Sequence, residues 1–457
     1  MMIKDILKVF STNLIKMFAM LLATFFIPLA LSIEEYASYK FYALIASYVG
    51  LFHFGFCDGV FVEYGGVDIK QIPASKLADE HKTIFLFEVA ITAVAILTSL
   101  LLNNKTLLIV SLSIISTVMF SYYTLLYQST GDFKNYANSF NIQSVMMIVT
   151  TAFLVFVVKY DSGLLYAITT VIVSILATFY VAVKFLSEFH VCGGTFRYSI
   201  LKKYIQIGIL LTIGNIAFVL FGSIDKWFVK ILLGDAEFAY YSFAVQLLSL
   251  MNFVMGPVGF TLYSYICKRR ELRYEYQLKA IITVLILFIL GVQFAVKWVI
   301  SNFMQDYAQA IPVVTILFLA QVFVLLNTIL YVNLYKSYKL QYKYFTNLII
   351  SIVLSVVLNY LFYTILGHQI ASFAYATLVS MVCWALLNLN DFKYLRYKLQ
   401  HAFFVAFMLV VYWLTNNIGN DIIGGIMYYC LWMVLAVLLC RESMNTLYMQ
   451  FKAIKKK

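Results

Sequence analysis

The sequence predicts an all-α integral membrane protein of about 14 transmembrane helices (12 to 14), in two six-helix parallel-repeat bundles plus a C-terminal helix pair. Three observations carry this. Of 457 residues, 63% are hydrophobic and 12% charged, where soluble domains carry about 25% charged residues. Apolar runs long enough to cross about 30 Å of hydrocarbon recur along the chain. A short motif near the start also returns at a constant offset in the second half.

The runs fall at 9–31, 40–62, 83–102, 106–128, 141–158, 163–183, 204–233, 238–267, 280–300, 311–335, 345–366, 369–390, 400–415 and 421–440. Continuous stretches of this length are helix signals, unlike the shorter alternating segments of a membrane barrel. The first run exceeds the 7–15 apolar residues usual in a cleaved signal peptide, so it is expected to stay as a span. The runs sort into an N-terminal lobe over 1–190, a C-terminal lobe over 204–390, a terminal helix pair over 400–441 and a basic cytoplasmic tail over 442–457.

Charge placement sets the orientation. With the N-terminus inside, the inner segments carry 26 of the 33 Lys and Arg, the outer loops four, and three lie within spans. This is the positive-inside pattern. Both termini are therefore expected in the cytoplasm of a multi-pass bacterial inner membrane protein. The net charge of +12 needs no nucleic acid to explain it, and the Lys455–Lys457 tail suits anionic membrane lipids. The 35 Tyr, 40 Phe and 5 Trp suit headgroup belts or a polar-apolar cavity.

The repeat pairs Glu35-Tyr-Ala-Ser-Tyr-Lys-Phe41 with Glu237-Phe-Ala-Tyr-Tyr-Ser-Phe243. Five of seven positions are identical or exchange Tyr for Phe, at an offset of 202 residues. Six spans separate the copies, so both halves enter the membrane in the same direction. Transporters use such parallel repeats to place a substrate path between two lobes.

Ionisable residues within spans cost about 2.5–3.5 kcal/mol each on insertion scales, and so point to function. The seventh span holds Asp225, Lys226 and Lys230. Lys226 and Lys230 are four apart on one helix face, a pair that suits a pyrophosphate; snorkelling to the outer interface is the competing reading. Lys16, in the first span, either snorkels or faces a cavity. Asp58 sits within Gly55-Phe-Cys-Asp-Gly59, a spacing that permits close helix approach. Asp225, Asp58, Glu63 and Glu88 are candidates to bind a coupling proton or sodium ion, or to act as charge partners, with Lys16 as one such partner for a buried carboxylate. His53 reads as a packing residue. Pro28, Pro257 and Pro312 are placed to kink helices.

No Walker A sequence, GxGxxG, zinc spacing or nucleophile elbow occurs. The six cysteines form no CxxC. No cofactor, metal site or catalytic residue is therefore expected. All loops on the outer side are short, which disfavours a membrane-embedded glycan polymerase or transferase. A cation-coupled small-molecule exporter should lean on acidic cavity residues, and the Lys226–Lys230 pair disfavours that too. Movement of a substrate remains the expected role.

Three stretches resemble the Wzx-type polysaccharide (O-antigen) flippases of the MOP superfamily. They are Ile33–Tyr39, Gly50–Gly59 continuing through Tyr64-Gly-Gly66, and Ile224-Asp-Lys-Trp-Phe228 followed by Leu233-Gly and Tyr240-Tyr-Ser-Phe-Ala244. The resemblance implies two six-helix bundles around a cationic cavity, and an undecaprenyl-pyrophosphate-linked oligosaccharide moved from the cytoplasmic to the outer leaflet. It implies a polysaccharide polymerase complex as a partner, and assigns Asp225 and Lys226 to the family's acidic-basic pair. The chain departs from the pattern at the end of the first span, where Pro28-Leu-Ala-Leu-Ser32 replaces a common basic residue, leaving Lys16 as that helix's cation.

Overall fold

A computed structural model describes residues 2–268 and 271–446; the side chains of 2–14 and of several residues from 257 to 268 lie outside the description. Lys4, Lys8 and the Lys455–Lys457 tail therefore fall outside what the structure addresses. Among the described residues every regular element is helical.

The fourteen apolar runs map in order onto these helices. Twelve are straight enough, long enough and apolar enough to cross a membrane. The run at 40–62 becomes a bent pair, Ile33–Leu51 with Phe56–Glu63, broken by 49°. The break falls at Gly55, whose φ of +101° a side-chain-bearing residue rarely adopts. The first run appears as the shorter apolar helix Ile15–Ala30.

The chain divides into two compact units, Met1–Ser223 and Ile224–Lys457. The first contains α1 (Met2–Ala30), α2 (Ile33–Ala46), α3 (Phe56–Glu63), α4 (Ala74–Leu101), α5 (Lys105–Ser129), α6 (Phe133–Ala152), α7 (Gly163–Glu188) and α8 (Tyr198–Phe221). Helix α5 is its centre, packed against α2, α3, α4, α6 and α7. Its face carrying Tyr122, Tyr123, Leu126 and Tyr127 is buried with Phe56, Phe185 and Tyr204.

The run at 204–233 does not continue as one helix. It ends at Phe221, turns through Gly222 and Ser223, and restarts as α9 (Ile224–Leu232). Helix α8, placed by the sequence at the start of the second lobe, packs along α3 in the first unit. Three glycines explain why. A Cβ on Gly208 would lie 2.0 Å from the Gly55 carbonyl oxygen, and one on Gly59 would lie 2.2 Å from that of Tyr204. The two backbones touch where the small-residue spacing permits it.

The second unit continues with α10 (Asp235–Leu247), α11 (Ser249–Lys268), α12 (Leu272–Leu290), α13 (Val292–Phe303), α14 (Ile311–Leu326), α15 (Val332–Ser337), α16 (Gln341–Ile365), α17 (Ile370–Asp391), α18 (Leu399–Asn416) and α19 (Asp421–Leu439). Helix α14 packs on α17, and the terminal pair α18–α19 packs on α13. Pro312 lies in the first turn of α14, where no helical hydrogen bond is lost. Pro28 is inside α1, near its end.

The sequence repeat has a structural counterpart within each unit. Glu35 is the third residue of α2 and Glu237 the third of α10. Tyr36 and Ala37 are fully buried in the first unit, as Phe238 and Ala239 are in the second.

Candidate functional site

The short helix α9 is amphipathic and begins with a buried carboxylate. Asp225 Oδ1 accepts from the Lys226 backbone N–H at 2.8 Å. Its Oδ2 accepts from the Tyr241 hydroxyl of α10 at 2.6 Å and from Thr377 Oγ1 of α17 at 3.0 Å. Three neutral donors thus surround the oxygens of a residue that is 8% exposed. Such donors stabilise an ionised carboxylate or one that holds a small cation. Lys226 lies half-buried on the same helix. Lys230 is paired with Asp235 and lies near the Phe238 ring. The expected face of two free ammonium groups is therefore not formed: the second is engaged by the acidic first turn of α10.

In the first unit the acidic candidates separate into three environments. Asp58 Oδ2 accepts from Thr212 Oγ1 at 2.5 Å and lies 4.0 Å from His53 Nε2. His53 Nδ1 accepts from the Gly55 N–H at 3.0 Å, so this histidine is held at the helix break as a local cap. No ion pair joins Asp58 to Lys16 among the described residues, and the charge partnership considered for them is replaced by Thr212. Glu63 is a surface group, bonded to Lys203 at 2.5 Å and 4.0 Å from Lys76. Glu88, on α4, is fully buried, and neither oxygen finds a partner among the described residues. A buried carboxylate in that position is stable only with a proton or a bound cation.

Lys16 faces an internal cavity of the first unit of about 360 Å³. Its Nζ lies 3.2 Å from the centroid of the Phe140 ring, a cation–π contact. The rest of the wall is neutral: Tyr42, Ser113, Thr117, Ser144, Thr170, Ser174 and Gln143 alternate with apolar Ala19, Ala46, Met147 and Val173. No carboxylate lines it among the described residues.

Two buried clusters were not legible as sites. Glu80, fully buried in α4, accepts from Tyr64 at 2.6 Å and Tyr204 at 2.5 Å. Glu275, fully buried in α12, accepts from Tyr338 at 2.8 Å and from Tyr394. Both glutamates read as loop charges in the sequence because each sits just outside an apolar run. Lys279 was hidden in the same way: counted with a loop, it is 1% exposed, donates to the Leu395 carbonyl at 2.8 Å and lies 3.8 Å from the Tyr397 ring centroid.

The chain matches a solved structure of the lipid II flippase MurJ in an inward closed conformation with a TM-score of 0.72, covering 97% of this chain and 100% of that one at 15% identity. Two structures of a multidrug resistance MATE family transporter of the MOP superfamily also match. The inward-facing one has a TM-score of 0.56 at 12% identity, over 83% of this chain and 95% of that one. The outward-facing one has a TM-score of 0.53 at 12% identity, over 86% and 97%. The chain has the fold shared by these three solved structures. No family model and no curated protein matches the sequence, so the likeness is carried by structure. The matched proteins are transporters and a flippase rather than enzymes. Among the described residues, the Asp225 cluster and the Lys16 cavity are two of several places where polar groups gather inside a helical unit.

Proposed function

We propose that the protein is a flippase that carries an undecaprenyl-pyrophosphate-linked oligosaccharide, an O-antigen or related surface-polysaccharide repeat unit, across the cytoplasmic membrane by ion-coupled alternating access. The Lys16 cavity carries this reading. Its wall offers one cation and seven neutral hydrogen-bonding side chains, which suits sugar hydroxyls and an anionic group. A cationic drug would meet a like charge there. The likeness to a lipid II flippase supports a lipid-linked substrate, since that protein is named for one.

In this reading Lys16 and Lys226 contact the substrate's anionic part. Lys230 joins them only when its pair with Asp235 opens. Asp225 and Glu88 are the ion-coupling groups: the first holds a cation among neutral donors, and the second holds a proton. Asp58, through Thr212, and Glu63, through Lys203, fix α3 against α8.

The test is deletion of the gene in its host, with assay of surface polysaccharide and of lipid-linked intermediates. Loss of surface glycan with complete repeat units accumulating on the cytoplasmic side supports the flippase. Unpolymerised units at the outer surface would instead indicate a polymerase, and unchanged glycan with altered drug tolerance an exporter.

A further inference from the structure

A second cavity of the first unit, about 600 Å³, belongs to neither place described above. It is a groove between α4 and α7 with α5 as its floor. Helix α7 lines it from Ile175 to Leu186, about 16 Å at 1.5 Å per residue. Its flanks reach the outside of the bundle, where Phe85 is 38% exposed and Phe179 67% exposed.

The two ends differ in chemistry. The deeper hydroxyls are already used: Thr178 donates to the Ser116 carbonyl at 3.0 Å, and Ser116 donates to that of Ser113 at 3.0 Å. The Tyr123 hydroxyl and His81 Nε2 share a 2.8 Å hydrogen bond. What remains along the groove is hydrocarbon surface, including Met119 and Ala182. The other end, on the lysine-rich side of the chain, is closed by Val191–Gly194. A Cβ on Gly194 would lie 2.0 Å from the Ala78 carbonyl oxygen, so this lip lies directly on α4. The lip is pinned by Asp79, which accepts from the Thr195 N–H at 2.9 Å and pairs with Arg197 at 2.7 Å. That pair neutralises itself. Lys82, exposed at the same end, has no ion-pair partner among the described residues.

We propose that this groove binds one anionic phospholipid of the leaflet on the lysine-rich side. One acyl chain would lie along α5 between Phe85 and Phe179, and the phosphate would sit on Lys82 beside the exposed Cys192–Gly193 backbone. A cation at one end of an apolar slot selects an amphiphile of that polarity, and basic pockets between membrane helices take acidic headgroups. This site is independent of which substrate the protein moves.

The test uses the purified full-length protein in a neutral detergent, with phosphatidylglycerol or phosphatidylcholine added and retained lipid counted by native mass spectrometry. One lysine near a membrane surface contributes about 1 kcal/mol, so phosphatidylglycerol should be retained about fivefold better. Lys82→Ala should remove that preference and Lys82→Arg should keep it. Ala182→Trp, which fills the groove, should lower retention of both lipids. Phosphatidylglycerol should also slow thiol labelling of Cys192, but not in Ala182→Trp. Equal retention of phosphatidylglycerol by wild type, Lys82→Ala and Ala182→Trp would overturn the proposal. Preferential displacement of phosphatidylglycerol by a polyprenyl phosphate would also overturn it, by assigning the groove to a different lipid.

Discussion

Tyr241 donates a 2.6 Å hydrogen bond to Asp225, joining the start of α9 to the motif that opens α10. Tyr241 belongs to the second copy of the repeat and is fully buried. Its counterpart, Tyr39, is 9% exposed and stacks on Tyr42. The repeat thus preserves an aromatic anchor, while only the second copy adds a carboxylate.

Substitution at this pair should separate charge from packing. Tyr241→Phe keeps the ring and leaves Asp225 one donor short, which should cost about 1.5–3 kcal/mol of stability. Asp225→Asn keeps the shape and removes the charge; it should leave the melting temperature within a few degrees and abolish complementation of the deletion strain. Thermal denaturation in detergent and the surface-glycan assay measure the two effects, and a fully active Asp225→Asn would exclude an ion-coupling role.

Glu88 should behave in the opposite way. Because its carboxyl has no partner among the described residues, Glu88→Gln removes no hydrogen bond and lessens the burden of a buried acid. The variant should melt at or above the wild-type temperature. If Glu88 holds the coupling proton, transport into vesicles should lose its dependence on an imposed pH gradient. Retained gradient dependence would remove Glu88 from the coupling path.

Among the cations, Lys16→Ala should reduce flipping while leaving membrane insertion intact, read by complementation alongside immunoblotting of membrane fractions. Lys230→Ala should have a smaller effect than Lys226→Ala, since Lys230 is already paired with Asp235. Wild-type activity in both Lys16→Ala and Lys226→Ala would remove the proposed anion contacts.

Gly208→Ala should be poorly tolerated. Its added methyl would meet backbone at 2.0 Å, with no flexible side chain to yield. A loss of about 1–3 kcal/mol is the usual scale for forced overpacking. Gly50→Ala, with nothing within 4 Å of the new carbon, is the matched control. Yield and melting temperature should fall for the first only.

Burial also divides the thiols. Cys440 is 2% exposed, so its thiol is closed to reagents in the folded protein. Raising the pH from 7 to 9 should leave it unlabelled by maleimide, while exposed Cys192 labels. Peptide mass spectrometry distinguishes the two.

Hydrophobic run length found the twelve described helices that are long and apolar enough to cross, because the bilayer imposes one length scale on all of them. It failed where a helix end or a buried charge obeys local contacts. Gly222 and Ser223 interrupt a run that stays apolar on both sides. Glu80, Glu275 and Lys279 lie at the margins of runs, where a sequence cannot tell a solvated charge from one enclosed by tyrosines. The positions of Asp225 and Lys16 were readable because a charge in mid-span has few innocent explanations. Tyr241 stood out only as part of the repeat, and Thr377 and Phe140 come from distant segments and left no local signal.

The glycine contact between α3 and α8 bears on how the protein can be divided. A split at the polar loop near 190–200 looks natural, yet it would strip Gly55 and Gly59 of the backbone they press against. The first unit should fold as a separate fragment when the cut falls at Gly222–Ser223, inside what reads as unbroken apolar sequence, and not when it falls in that loop. In this chain the seam between folding units lies where hydropathy has no punctuation.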